Sequence, residues 1–459
     1  MSGPVQTRSP VPQPAGLRGR GYGVFAALAF CFAPLAVQGE GQAIQPRLQA
    51  CLDELRTQAP SHGLPTADFD RLASNVELLE TTARAARRQP ESEEFWWDYI
   101  AKTVDDERIA DGRAILAQYP AELAAIESRF DTDAAALVAI FGIETNYGKV
   151  LGRTDVLNAW LTRACLERRP LWVSNVFASL RLLRDGVVTR ESFVGSWSGA
   201  FGMTQFIPTS FYELAVDGDG DGRIDLYASL PDALASSANH LKKRGTRWKA
   251  GVPAVIEVEL PPRLAASLRI PADRLHAGRG DVRTLAEWEG AGLRRPGGGA
   301  LTVDPGSASE SAHQALAQER AYLFAPTGSR GPVFLATGNF DAILHYNRSE
   351  KYALAVSLLI NRLKGEAGLA TPWPTDDPGL SRAQIRELQA LLATRGYDVG
   401  TPDGIPGTRT RDAIRSEQRR LGLSEDGRPG QRILVLLKQV AGTDADTGAQ
   451  TPQQPVKID

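Results

Sequence analysis

The sequence predicts a mainly α protein with a small β-rich insertion and a small three-helix domain at its C-terminal end. Three observations carry this. From about residue 44 to 245, and again after about 338, apolar residues recur at three- and four-residue spacing. Between about 252 and 335 the chain turns to Gly, Pro and short apolar runs, some of them alternating. A compact helical stretch at about 380–441 follows a Pro/Gly-rich segment. The expected organisation is a signal segment at 1–40, a main domain at 41–365 and a linker at 366–379. The C-terminal domain at 380–441 and a polar, disordered tail at 442–459 complete it.

With 459 residues, 42% hydrophobic and 23% charged, the chain has material for a sizeable core and for two or three domains. A net charge of −2 gives no ground for nucleic acid as a partner.

At the N-terminus Arg18 and Arg20 precede "GYGVFAALAFCFAPLAV", an apolar run too short to span a bilayer comfortably. A basic flank, a short apolar stretch and then small and polar residues read as a secretory signal, cut between Ala36 and Ala43. An uncleaved membrane anchor is the alternative. Phe30 before Cys31 is too bulky for a lipid-attachment signal. Two cysteines remain, Cys51 and Cys165, and an even count in an exported protein predicts a disulfide between them.

"QPRLQACLDELRTQA" and "PLWVSNVFASLRLLRDG" are helical by period, the second stopping at Gly186. "FDTDAAALVAI" offers Asp131 or Thr132 as an N-cap. "AVIEVELP", "YLFAP" and "PVFLAT" are the strand candidates. The C-terminal domain holds a weak repeat, "DGIPGTR" from Asp403 and "DGRPGQR" from Asp426.

Four segments carry chemistry. In "DAAALVAIFGIETNYGKV" the ten residues before Glu144 are all apolar or Gly. Desolvation there raises a carboxyl pKa and suits a general acid; the alternative is a helix-end glutamate that points to water. "GSWSGAFGMTQFIPTSF" mixes small residues, aromatics, Ser196 and Gln205, which suit a sugar ring or a tightly packed turn before Pro208.

"DGDGDGRID" puts Asp217, Asp219 and Asp221 at positions 1, 3 and 5 of an EF-hand-like loop, with Gly222 at 6 and the Arg223 carbonyl at 7. Position 12 is Ala228 rather than Glu, and Asp232, four residues on, is the candidate to close the shell. Ca²⁺ is the ion this oxygen set suits; a solvated acidic turn is the alternative. Tyr346, Asn347 and Tyr352 in "LHYNRSEKYALAV" fit a sugar groove or the packing of two helices.

In order and rough spacing, "GIETNYGKVLGRTDVLNAWLT", "SWSGAFGMTQFIPTSF", "DGDGDGRIDLYASLPDALASSANHLKKRG" and "GNFDAILHYNRSEKYALAV" resemble membrane-bound lytic murein transglycosylase B and its soluble relatives, over about residues 44–365. The stretch "QIRELQALLATRGYDVGTPDGIPGTRTRDAIRSEQRRLGL" resembles a small three-helix peptidoglycan-binding domain.

The resemblance implies a lysozyme-like helical catalytic domain with Glu144 as its single acid. It implies that Ser196, Gln205, Asn239, Tyr346, Asn347 and Tyr352 line a glycan cleft. It also implies that Asp217, Asp219, Asp221, Arg223 and Asp232 form a structural calcium loop, with no cofactor for catalysis. Two departures stand out. His240 follows Asn239 where relatives usually carry a substrate-contacting tyrosine, and one extra residue separates Asp225 from Asp232.

The implied reaction cleaves the MurNAc–GlcNAc bond of peptidoglycan by attack of the C6 hydroxyl, leaving 1,6-anhydro ends. Implied too are a monomer in the bacterial periplasm, free or membrane-associated, and contacts with cell-wall synthesis or remodelling complexes. Its rivals are a muramidase using a second acid such as Asp155, a silent wall-binding protein, and a calcium-sensing regulator.

Overall fold

The computed structural model describes residues 45–88, 94–245, 247–276, 280–303 and 309–447. The expected signal segment at 1–40 lies outside them, as does the tail from 448. The described residues from Pro46 onward form one compact unit.

The centre of the main domain is the helix Ala134–Thr145. Ala136, Leu137, Val138, Ala139 and Ile140 are all fully buried. A helix that is apolar all round has no solvent face to give, so it runs through the core. It packs against the helix Glu350–Leu363, with Trp96–Thr103 and Leu230–Lys243 around them. Its N-cap is Asp133, not Asp131 or Thr132. Asp131 closes the preceding helix Pro120–Phe130 in a left-handed conformation (φ 48°), and Thr132 is buried between the two.

A second apolar cluster joins the helices Gln45–Gln58, Val156–Glu167 and Pro170–Arg184. The disulfide Cys51–Cys165 ties the first of these to the second.

The insertion is a four-stranded antiparallel sheet in the order Val255–Val258, Val333–Thr337, Arg320–Phe324, Val282–Thr284. The three strand candidates all fall in it. Val282–Thr284 is not among them, because three residues are too few to show alternation.

The C-terminal domain is built from the helices Arg382–Thr394, Thr408–Arg420 and Gln431–Thr447, the last running into the stretch expected to be disordered tail. Its repeat has a physical basis. In each half a buried glutamine clamps the "DG" turn. Gln389 accepts from Gly404 N–H (2.9 Å) and donates to Asp403 (3.0 Å). Gln418 accepts from Gly427 N–H (2.9 Å) and donates to Asp426 (2.6 Å).

This domain is fastened to the main domain by two largely buried arginine–aspartate forks. Arg382 meets Asp105 at 2.6 and 2.7 Å, and Arg428 meets Asp98 at 2.7 Å through two nitrogens. Both arginine side chains are 13% exposed, so these charge-assisted pairs are shielded from solvent. The linker is pinned as well. The Glu257 carboxylate accepts the N–H groups of Ala370 and Thr371, and a Cβ on Gly379 would lie 2.5 Å from the Trp97 carbonyl.

Candidate active site

Glu144 stands in the last turn of the buried helix and is half-buried itself. The helix stops there because Asn146, Tyr147 and Gly148 all take left-handed backbone (φ 50°, 59° and 78°). Asn146 N–H caps Gly142 O at 3.0 Å. Tyr147 folds back over the helix, and a Cβ on Gly142 would meet its ring at 2.6 Å. That close approach explains the one glycine in the apolar run. Thr145 Oγ1 donates to Met203 O (2.6 Å), which fixes the end of the helix to the "SWSGAFGMTQF" loop.

The phenol of Tyr352 donates to Glu144 Oε1 at 2.6 Å. Burial first, and the Glu144 charge second, hold this phenol well above its ordinary pKa, so it stays a proton donor. Tyr346 donates to Thr204 O (2.7 Å) and lies 3.1 Å from Ser237 Oγ. Gln205 sits in left-handed backbone (φ 51°), its amide donating to Gly202 O at 3.0 Å. Ser196 accepts from Ala200 N–H (3.2 Å) and touches Ser198 Oγ (3.0 Å). Asn347 is half-buried just after the helix Gly338–Tyr346, its N–H on Ile343 O.

The glycines of the loop serve the protein rather than a ligand. A Cβ on Gly195 would strike Ala200 O at 2.0 Å, and one on Gly199 the Trp160 indole at 2.5 Å. Backbone and ring take the space that the small residues leave.

Two expected site residues are buried and bonded to backbone. Asn239 is buried, and its amide donates to Leu214 O (2.8 Å), satisfying a carbonyl at the end of the helix Pro208–Leu214. Asp232 is also buried. Its two oxygens accept the N–H groups of Gly218 and Asp225, both at 2.7 Å, so it clamps the acidic loop shut from behind.

Asp217, Asp219 and Asp221 each offer a carboxylate oxygen within 4.8 Å of the others, and Arg223 follows with its N–H on Asp221 Oδ1. The Gly222 N–H first among several backbone donors holds Asp217 below its usual range. A loop of hard, ionised oxygens around a sharp glycine turn suits Ca²⁺.

His240 is buried 4.5 Å from the Tyr346 ring, measured between centroids. Burial, then the Arg244 charge, pushes its pKa down to about 4. A neutral imidazole therefore backs Tyr346.

Asp155, the rival second acid, caps the helix Val156–Glu167 through Asn158 N–H (2.7 Å) and pairs with Arg190 at 3.1 Å. Burial pushes its pKa up.

A groove of about 630 Å³ opens at Glu144. One wall carries Asp111 and Lys149 of the main domain, and the other Arg382, Arg386, Asp403 and Ile405 of the C-terminal domain. No local pattern announces the second wall, since each of these residues reads as the surface of a separate small domain.

Residues 47–361 match the family model described as the transglycosylase SLT domain, and residues 381–437 that of the peptidoglycan binding domain. Membrane-bound lytic murein transglycosylase B of Escherichia coli (strain K12) is 25% identical over 68% of this chain and 81% of its own. The chain belongs to the lytic murein transglycosylase B family.

Solved structures of lytic transglycosylases agree with the assignment. SltB3 from Pseudomonas aeruginosa, in complex with NAG-NAM-pentapeptide, is 41% identical over 85% of this chain and 99% of its own, with a TM-score of 0.63. The same enzyme in complex with NAG-anhNAM-pentapeptide aligns over the same shares of both chains with a TM-score of 0.62. The Escherichia coli lytic transglycosylase Slt35 in complex with calcium is 25% identical over 69% of this chain and 92% of its own, at a TM-score of 0.53. This lytic transglycosylase therefore has a lysozyme-like helical catalytic domain followed by a helical peptidoglycan-binding module, and its substrate is peptidoglycan.

Proposed function

We propose that Glu144 carries the reaction alone, as acid and then as base. The observation behind this is its bond to Tyr352, which orients the carboxyl group that lines the groove. Protonated Glu144 donates to the oxygen linking N-acetylmuramic acid to N-acetylglucosamine. The C1–O bond breaks, the N-acetylglucosamine leaves with that proton, and positive charge develops at C1. The N-acetyl group of the muramic sugar stabilises C1 from the other face. Glu144, now ionised, takes the proton of that sugar's C6 hydroxyl as its oxygen bonds to C1. The product is a 1,6-anhydro end, and no water is consumed.

A hydrolase with two carboxylates needs the second held near the first. The helix cap and the Arg190 ion pair that engage Asp155 favour the one-carboxylate course. Ser196, Gln205, Tyr346 and Asn347 are the glycan-contacting set in this reading, with Tyr352 as the orienting donor. Ca²⁺ on the Asp217–Asp221 loop has a structural role, as the calcium complex of the Escherichia coli relative supports. The Cys51–Cys165 disulfide fits export to an oxidising compartment such as the periplasm.

Mass spectrometry of fragments released from purified peptidoglycan tests the proposal. Anhydro-muramyl ends, lighter by one water than reducing ends and absent with Glu144→Gln, are expected. Reducing ends would mean that water attacks and that a second carboxylate is at work.

A further inference from the structure

We propose that Arg382 of the C-terminal module is a positioning residue for catalysis, acting on Glu144 through the Asn146 cap of the catalytic helix. The inference rests on the reading that Glu144 is the acid.

The guanidinium of Arg382 divides its hydrogen bonds between two partners, with Glu107 a further charge at 4.0 Å. Nε and Nη2 fork onto Asp105 at 2.6 and 2.7 Å, while Nη1 donates to Asn146 Oδ1 at 2.6 Å. Asp105 is a rigid anchor. It is buried and caps the helix Asp106–Gln118 through Arg108 N–H at 2.8 Å. Asn146 lies two residues beyond Glu144, in the left-handed conformation that ends the helix. Its N–H holds Gly142 O, so its placement fixes the last turn, from which the Glu144 side chain leaves. Arg382 thus braces the end of the catalytic helix against the start of another helix. The brace comes from a different domain.

The second fork is a natural control. Arg428 and Asp98 also form a bidentate pair, at 2.7 Å, with Asp98 buried and Arg428 13% exposed. Arg428 makes its remaining bonds to Asp377 in the linker. Both arginines hold the module in place, but of the two only Arg382 bonds to the turn that follows Glu144.

If the role is positioning, losing the brace lowers turnover more than binding. A displacement of about 1 Å at a catalytic group costs up to about 100-fold in rate. Steady-state kinetics of the full chain on purified glycan strands decides, with melting curves on every variant. Asn146→Gly keeps the left-handed backbone and removes only the side-chain acceptor.

Arg382→Gln and Asn146→Gly are each expected to lower kcat about tenfold or more, with KM within about twofold. The double variant is expected to match the singles, because one bond is lost only once. Arg428→Gln is expected to lower the melting temperature and leave kcat unchanged. Should Arg382→Gln fail to fold, Asn146→Gly alone carries the test.

A change confined to KM, additive losses, or an equal fall of kcat in Arg428→Gln would overturn the positioning role. Glu144→Gln, run alongside, separates the two levels. If it is inactive while Arg382→Gln and Asn146→Gly turn over normally, only the brace falls. If it remains active, the assignment of the acid falls.

Discussion

Tyr352 and Glu144 lie 208 residues apart in the chain and meet at 2.6 Å, phenol to carboxyl. The apolar helix presents the acid, and the neighbouring helix supplies the group that aims it. Tyr352→Phe removes that donor and little else. Its kcat is expected to fall about 10- to 100-fold with KM nearly unchanged, since one hydrogen bond to a reacting group has that order of effect. Wild-type kcat in the phenylalanine variant would show that Glu144 needs no such partner.

Glu144→Gln preserves shape and gives up the proton. Turnover is expected to drop by about 10²–10⁴-fold, the usual range for a general acid–base group. Sedimentation with insoluble peptidoglycan is expected to be unchanged, because neither the groove nor the C-terminal module is altered. Loss of wall binding in step with activity would point to misfolding instead.

Calcium is expected to raise the melting temperature. The Asp217, Asp219 and Asp221 oxygens converge, and ligand binding to the folded state alone stabilises it. At a concentration about tenfold above a millimolar-range dissociation constant, the gain is roughly 2–4 °C. Asp219→Asn is expected to abolish the gain. A calcium response that survives in that variant would place the ion elsewhere.

Acid is expected to weaken the protein through His240. Its folded pKa, about 4, lies below the ordinary imidazole value. The unfolded chain then binds the proton more readily. The contribution is complete above about pH 6.5, declines as pH falls through that value, and levels off below about pH 4. The whole interval is worth about 3 kcal/mol. Denaturant titrations at several pH values are expected to show this slope in the wild type and a smaller one in His240→Phe.

Reduction of Cys51–Cys165 is expected to destabilise the N-terminal half. The bridge closes a loop with a sequence separation of 114. Chain entropy gives at most about 5 kcal/mol for such a loop, and measured values are usually smaller. The melting temperature under dithiothreitol, compared with a Cys51→Ser variant, checks it. Equal melting with and without reductant would remove the bridge from the accounts of stability.

Local sequence was a good guide to some of this. The apolar run before Glu144 declares a buried helix, because nothing in it is fit to face water. The three strands of the insertion with clear apolar runs were legible for the same reason. The paired "DG" turns were visible as a repeat, although the clamping glutamines Gln389 and Gln418 were not, as a glutamine in a helix carries no mark of burial.

What stayed hidden was tertiary. The burial of Asn239, implied by the resemblance, and of Asp232, the loop-closing candidate, has no mark in the sequence. Both are buried groups meeting the needs of nearby backbone. In the "SWSGAFGMTQF" loop the glycines signalled close approach, and the approaching group proved to be the protein's own backbone and indole. The N-cap moved from Asp131 or Thr132 to Asp133 because the preceding helix claims Asp131 for its own end.

The pinned linker and the two largely buried forks change what the C-terminal module can contribute. A module on a loose tether raises the local concentration of substrate and sets no geometry; its benefit depends on tether length. Here the tether has no slack. Lengthening the linker by a flexible insert leaves the forks to hold the module where it is, so apparent affinity for the wall should be insensitive to linker length. The distance between the point of grip and the point of cleavage is a built-in constant of the molecule, like the spacing between the two jaws of a caliper set with a screw.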